Sequence, residues 1–210
     1  LNSLDPAQFP AANLPIIRRI QLAERIAITG SAASNAAFTA QLKKLISKHP
    51  PLIQFRQRDL SDEDFQSRVQ SALALCRAHA IPLTINTDPT RFEALGGDAL
   101  HVNSAVLRQL KHRPVPAQMR FSASCHCVEE LHMAAALQAD YVLLSPVAST
   151  TSHPEQSPMG WERLAQFTSA VDLPIYALGG MTVDDIPIAF AHGAVGIAAI
   201  SAFWDSSSGE

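Results

Sequence analysis

Short runs rich in β-branched and aromatic residues alternate along the chain with longer stretches whose apolar positions recur at helical spacing. The runs are RIAIT (25–29), PLIQFR (51–56), PLTIN (82–86), DALHV (98–102), MRFSAS (119–124), DYVLLS (140–145), PIYAL (174–178) and VGIAAI (195–200). The longest intervening stretch, SDEDFQSRVQSALALCRAHA (61–80), opens on Ser61 with Asp64 three positions on, a start resembling a capping box. Phe65, Val69, Ala72, Leu73 and Cys76 then fall on one helical face. CVEELHMAAALQA (127–139) groups Val128, Leu131, Ala134 and Ala135 in the same way. TVDDIPIAFAHG (182–193) begins with Thr182 and two acids, closes at Gly193, and tolerates Pro187 only near its first turn.

Eight strand signals with helices between them, in 210 residues, predict an α/β fold of the (β/α)8 TIM barrel type. A doubly wound open sheet is the alternative, but no G-x-G-x-x-G follows the first strand. After the eighth run and the residues SAFW only DSSSGE (205–210) remains, which predicts a shortened eighth helix. An N-terminal extension over 1–22 is expected to cover the flank this leaves, with the barrel over 23–210.

Barrels of this kind place their chemistry at the C-terminal ends of the strands. Those ends are polar here. Gln54, Arg56 and Arg58 share one parity after the second run, Asn86 ends the third, and His101 and Asn103 end the fourth. Ser122, Ser124 and His126 share a parity on the fifth. A long Ser/Thr/Pro-rich loop, SPVASTTSHPEQSPMG (145–160), follows the sixth and has the length of a lid. The seventh ends in Gly179-Gly180 and the eighth in Ile200-Ser201, and loops at these two positions often hold a phosphate on backbone N–H groups. Two guanidiniums on an inner face are costly without an anion, so a phosphate ligand between these loops is the expected partner.

Composition narrows the classes further. The formal net charge is −3 and no Lys/Arg-rich run occurs, so a nucleic-acid surface is not expected. No apolar run is long enough to span a membrane and no signal peptide is evident, so no membrane partner is expected. Three cysteines, Cys76, Cys125 and Cys127, form no disulfide framework, which fits a reducing cytoplasm. The leading Leu1 suggests a processed chain or an excised domain.

The same residues resemble the thiamin phosphate synthase and TenI family, whose motifs include QLR-x-K, G-x-S-x-H, a-x-GGi and GadGvavvSai. Here they read QFRQR (54–58), SASCH (122–126), ALGGM (177–181) and GAVGIAAISAF (193–203), with TIN (84–86), GGDALHVNSAV (96–106) and DYVLLSPVASTTSH (140–153) in the expected order. The resemblance implies a transferase of thiamine biosynthesis that joins a hydroxymethylpyrimidine pyrophosphate to a thiazole phosphate with Mg²⁺. It also implies that Thr87 and Val106 stand where the family's two metal-binding aspartates would be. His153 stands at its lid lysine and Arg58 at the lysine of QLR-x-K. Loss of both carboxylates removes the ligands Mg²⁺ prefers, so no cofactor is assigned with certainty. TenI-type members instead isomerise a thiazole carboxylate phosphate, and the resemblance gives His126 the proton-transfer role. It gives Gly180, Ile200 and Ser201 backbone contacts to phosphate and Ser124 the pyrophosphate side. With Gln54, Arg56, Arg58, Asn86, Thr150, Ser152, His153 and Gly179 these form the expected binding set.

FPAANLPIIRRIQL (9–22) is similar to the last segment of MutT-type Nudix hydrolases, with Asn13 in the place of the base-recognising Asn. That likeness implies a covalently fused N-terminal Nudix domain, for which the barrel could serve as a sensing module. Whether copies of the chain form a homo-oligomer is left open. Three histidines, His101, His126 and His153, would suit zinc if the lid brought them together.

Overall fold

The computed structural model describes residues 23–150 and 157–204. Eight parallel strands close into a barrel in chain order: β1 (Arg25–Ile28), β2 (Ile53–Phe55), β3 (Leu83–Asn86), β4 (Ala99–Val102), β5 (Arg120–Cys125), β6 (Tyr141–Leu144), β7 (Ile175–Leu178) and β8 (Gly196–Ala199). β8 pairs with β1 through Arg25 opposite Ile197, which closes the ring. The helices around it are α1 (Asn35–Ile46), α2 (Asp62–Ala78), α3 (Pro89–Leu95), α4 (Ser104–Leu107), α5 (Val128–Ala136), α6 (Gly160–Ala170) and α7 (Ile186–Ala191). The (β/α)8 expectation holds in every strand.

Side chains alternate across each strand, and the alternation separates two cores. Outward residues such as Ile53, Phe55, Leu100, Val102, Phe121 and Ile197 pack with the helices. Phe55 meets Phe38 of α1 at 5.6 Å and Phe65 of α2 at 5.3 Å, both edge to face. Inward residues Ile26, Ile28, Tyr141, Leu143, Tyr176 and Ala198 form the second, smaller core. The Tyr176 hydroxyl donates to the Ala23 carbonyl at 2.6 Å, and Tyr141 Oη lies 3.2 Å from Thr84 Oγ1, so each buried phenol is satisfied.

Local chemistry sets the element ends. Ser61 Oγ accepts from Asp64 N at 3.1 Å, while the Asp64 carboxylate accepts from the Ser61 hydroxyl, a variant of the expected box. The stretch from Thr182 departs from a continuous helix: Val183–Asp185 is a 3-10 turn, boxed by Thr182 and Asp185, and α7 starts only at Ile186. Pro187 has no N–H for the carbonyl four residues back, so the α-helical ladder cannot extend through that point. β2 is shorter than its run, so Arg56 and Arg58 follow the strand rather than lying on it. Asp59 turns the chain with φ 59 immediately afterwards.

After β8 the chain makes a turn through Ser201–Phe203 to Trp204, with no eighth helix among the described residues. The N-terminal extension, its Nudix-like stretch and Asn13 lie outside the described residues, as do the lid positions Ser152 and His153.

Phe55 is fully buried between three elements. Phe55→Ala is expected to lower stability by about 3–5 kcal/mol, read from the denaturant midpoint.

Candidate functional site

The inward parity of four neighbouring strands, β2 to β5, collects polar side chains toward one end of the barrel. Gln54 sits opposite Thr84, Asn86 opposite His101, and His101 opposite Ser122. All of these follow the inward phase set by Ile28, which lies opposite Gln54. Gln54 is 1% exposed, and its Nε2 has no hydrogen-bond partner among the described residues. A buried amide donor left open in this way suits an acceptor on a bound molecule.

His101 lies at the centre. It is fully buried, with Nδ1 2.9 Å from Ser122 Oγ and Nε2 2.8 Å from Ser124 Oγ. Burial, helped by the nearby Arg56 charge, lowers its pKa to about 3. The ring is therefore neutral, one nitrogen donating and the other accepting, and the two serines orient it. Both nitrogens are occupied, which removes His101 from any three-histidine zinc site.

Arg56 leaves β2 half-buried at the rim. Its backbone is clamped to β1's end: Arg56 N donates to Thr29 Oγ1 at 2.9 Å, and that hydroxyl donates to the Arg56 carbonyl at 3.0 Å. Burial and the positive charge of Arg58 lower the guanidinium pKa to about 10, so it stays cationic at neutral pH. No ion pair to Arg56 occurs among the described residues. Arg58, expected on the same inner face, is exposed beyond the strand end. The pair thus divides into an inner and an outer cation.

His126 follows β5 and is exposed at the mouth. Its Nδ1 lies 2.7 Å from the Ser145 carbonyl. A carbonyl can only accept, so Nδ1 carries a proton, and the tautomer that this bond selects has its lone pair on Nε2. The backbone is fixed as well: His126 N donates to Glu130 Oε2 at 2.6 Å, and the buried Glu130 carboxylate also pairs with Arg108. Cys125 packs in the outer core and Cys127 sits at the N-cap position of α5 without a side-chain capping bond, so Cys125, His126 and Cys127 do not converge as a clip for a metal.

Opposite this side, the loop after β6 starts with a cis Ser145–Pro146 bond and lies along the end of β7. Val147 N donates to Leu178 O at 2.9 Å and Ala148 N to Gly179 O at 3.1 Å. Gly179 and Gly180 have φ 96 and 69. A Cβ on Gly180 would lie 2.4 Å from the Ser149 carbonyl oxygen, so the close approach requires glycine. The backbone N–H groups of Gly180 and Ser201 donate to no partner among the described residues. Ile200 and Thr150 are half-buried near these turns.

Thr87 and Val106 offer one neutral hydroxyl and one hydrocarbon where the resemblance would place metal carboxylates. Asp88 and Asn103 beside them are engaged as helix caps, accepting from Arg91 N and Val106 N at 2.9 Å each. No group of three or more His, Cys, Asp or Glu side chains that could hold a metal occurs among the described residues. This donor set does not fit Mg²⁺. A cavity of about 240 Å³ lies at the other end of the barrel, lined by Leu52, Leu83, Ala99 and Arg120 at strand starts, and takes no part in the mouth.

Thr29, Ser145 and Glu130 are the functional neighbours that the sequence did not single out. Glu130 alone left a signal, an acid in the first turn of a helix immediately after His126.

Comparison with known proteins agrees with this architecture. A putative thiamine-phosphate synthase 2 of Aquifex aeolicus is 31% identical over 187 residues, covering 88% of this chain and 99% of that protein. A thiamine-phosphate synthase of Lysinibacillus sphaericus is 34% identical over 149 residues, covering 70% of this chain and 68% of its own. The solved thiamine phosphate pyrophosphorylase of Pyrococcus furiosus shares the fold, with a TM-score of 0.67 at 18% identity and 85% of each chain covered. No helix among the described residues is long and apolar enough to cross a membrane. With the TMP-TENI family model, described as thiamine monophosphate synthase, matching residues 26–203, the chain belongs to that family.

Proposed function

We propose that this chain binds a thiazole phosphate at the barrel mouth and isomerises it by proton transfer through His126, as a TenI-like tautomerase of thiamin metabolism. The observation that carries the proposal is the 2.7 Å hydrogen bond from His126 Nδ1 to the Ser145 carbonyl. It leaves the Nε2 lone pair as the base at the mouth. Nε2 takes a proton from a ring carbon of the ligand, breaking C–H and forming N–H. The imidazolium then returns the proton at a second ligand atom, so nothing is gained or lost overall. His101 cannot share this work, because its ring is held neutral and both nitrogens are in use.

The phosphate is held between Arg56 and the N–H groups of Gly180 and Ser201, which donate to no partner among the described residues, with Gly179 and Ile200 shaping the two turns. Each charge-assisted bond of this kind is worth about 1.5–3 kcal/mol. Gln54, Asn86 and Ser124 orient the heterocycle. Arg58 and Thr150 lie at the rim on the side of the expected lid.

A second reading is the condensation itself, supported by the similarity to a putative thiamine-phosphate synthase 2 matched over 99% of its length. The Mg²⁺ that chemistry uses has no carboxylate ligands at Thr87 and Val106, which favours the metal-free reaction.

Arg56→Ala is expected to raise KM for thiazole phosphate roughly tenfold to a hundredfold. His126→Ala should lower kcat roughly 10²–10⁴-fold with little change in ligand affinity, and chelation by EDTA should leave the wild-type rate unchanged. A rate abolished by EDTA and restored by Mg²⁺ would support the condensation instead. His101 gives a pH prediction. Its folded pKa is about 3 against an ordinary 6.5, so the unfolded chain binds the extra proton. Stability from this group is complete above about 6.5 and is lost as pH falls toward 3. His101→Gln should flatten that acid limb in denaturant titrations, although it lowers stability at neutral pH.

A further inference from the structure

The loop after β1 presents three consecutive backbone carbonyls, and each accepts from a side chain of a different segment. Gln57 Nε2, from the loop after β2, donates to Gly30 O at 2.5 Å. Trp204 Nε1, from the turn after β8, donates to Ser31 O at 3.1 Å. Arg68 Nη1, from α2, donates to Ala32 O at 3.2 Å.

None of the three donors is a surface group reaching idly. Arg68 is 4% exposed and Trp204 is 2% exposed. Arg68 has no carboxylate against it among the described residues. Instead its Nη1 also donates to Gln57 Oε1 at 2.9 Å and its Nε to Asn35 Oδ1 at 2.7 Å, while Asn35 reaches Asp64 at 2.9 Å. Burying a guanidinium on neutral acceptors is costly and is tolerated where the geometry is fixed. The Phe38 ring lies between the two anchors, 5.6 Å from the Arg68 guanidinium carbon and 5.5 Å from the Trp204 ring. Gly30 completes the packing: a Cβ there would lie 2.6 Å from Trp204 Cδ1 and 3.1 Å from Ile200 Cγ2.

The segments joined by this loop carry two sides of the mouth. Gln57 is the residue after Arg56, and its Nε2 also donates to the Arg56 carbonyl at 3.1 Å. Trp204 N donates to Ile200 O at 2.8 Å, which closes the turn that contains Ser201. We infer that Arg68, Gln57 and Trp204 are positioning residues that lock Arg56 and the Ile200–Ser201 turn to one shared loop, so that the spacing of the two sides of the anion site is set from behind. This rests on the phosphate reading given above. It assigns a role to three residues that touch no ligand.

The test uses the full chain with inorganic phosphate and thiazole phosphate as titrants in calorimetry. Trp204→Phe keeps the ring and removes only the N–H donor; Arg68→Lys keeps the charge and loses the fork. Each should weaken both titrants roughly fivefold to tenfold, with kcat little changed, and the double variant should fall short of the product because both act through one loop. In a Trp161→Phe background Trp204 is the sole tryptophan, and its emission should change on adding phosphate. This readout stands even if the Arg68 variant fails to fold. Phosphate binding that is lost in Arg56→Ala but unchanged in folded Trp204→Phe and Arg68→Lys, or a silent Trp204 at saturation, would overturn the clasp and leave the phosphate site standing. A wild-type chain that binds neither titrant would overturn both.

Discussion

The mouth of this barrel is organised around a guanidinium that is partly buried and that no acid among the described residues neutralises. Arg56 sits at the end of a three-residue strand, with its backbone tied on both sides to Thr29. Its electrostatic neighbours are a second arginine and a histidine, and no acid forms an ion pair with it among the described residues. Withdrawing a cation from water without a partner is costly, so its position depends on the anchoring around it. Three features make sense together on that basis: the neutral His101 beneath it, the N–H groups of Gly180 and Ser201 that have no acceptor among the described residues, and the buried clasp behind it. His101 in particular must stay uncharged, because a second buried cation beside Arg56 would add repulsion to the desolvation cost.

Catalytic potential is arranged separately from this charge. His126 stands outside the buried network, held by a main-chain carbonyl and by the Glu130 carboxylate through its own N–H. The division is economical in chemical terms. One histidine is fixed as a neutral scaffold with both nitrogens engaged, while the other keeps one nitrogen engaged and one available. Two imidazoles, one on β4 and one just after β5, thus differ in the partners that hold them.

Much of the fold was legible in the sequence. Each of the eight strand runs became a strand, because compact apolar runs broken by polar helical stretches have few other ways to bury themselves. The parity argument also held for Gln54, His101, Ser122 and Ser124, whose inward phase follows from strand alternation. It overreached at Arg58, because alternation stops carrying information once β2 ends at Phe55 and Asp59 turns the chain. It misjudged the stretch from Thr182, where one missing proline N–H divides a 3-10 turn from α7. What the sequence could not show was the set of backbone acceptors. Ser145 O, Gly30 O, Ser31 O and Ala32 O hold the key side chains, and a carbonyl carries no residue-type signature. Arg68 likewise left no signal in the sequence, since only the tertiary structure brings Gln57 and Asn35 against it.

On this reading the mouth between Arg56 and the two glycine- and serine-bearing turns is an anion site. A crystal structure of the chain grown with saturating thiazole phosphate tests it most directly. The phosphate is expected within hydrogen-bond distance of the Arg56 guanidinium and of the Gly180 and Ser201 N–H groups, with the heterocycle beside His126 Nε2. A ligand seated instead in the cavity beside Arg120 at the opposite end, or a mouth left empty at saturation, would contradict it.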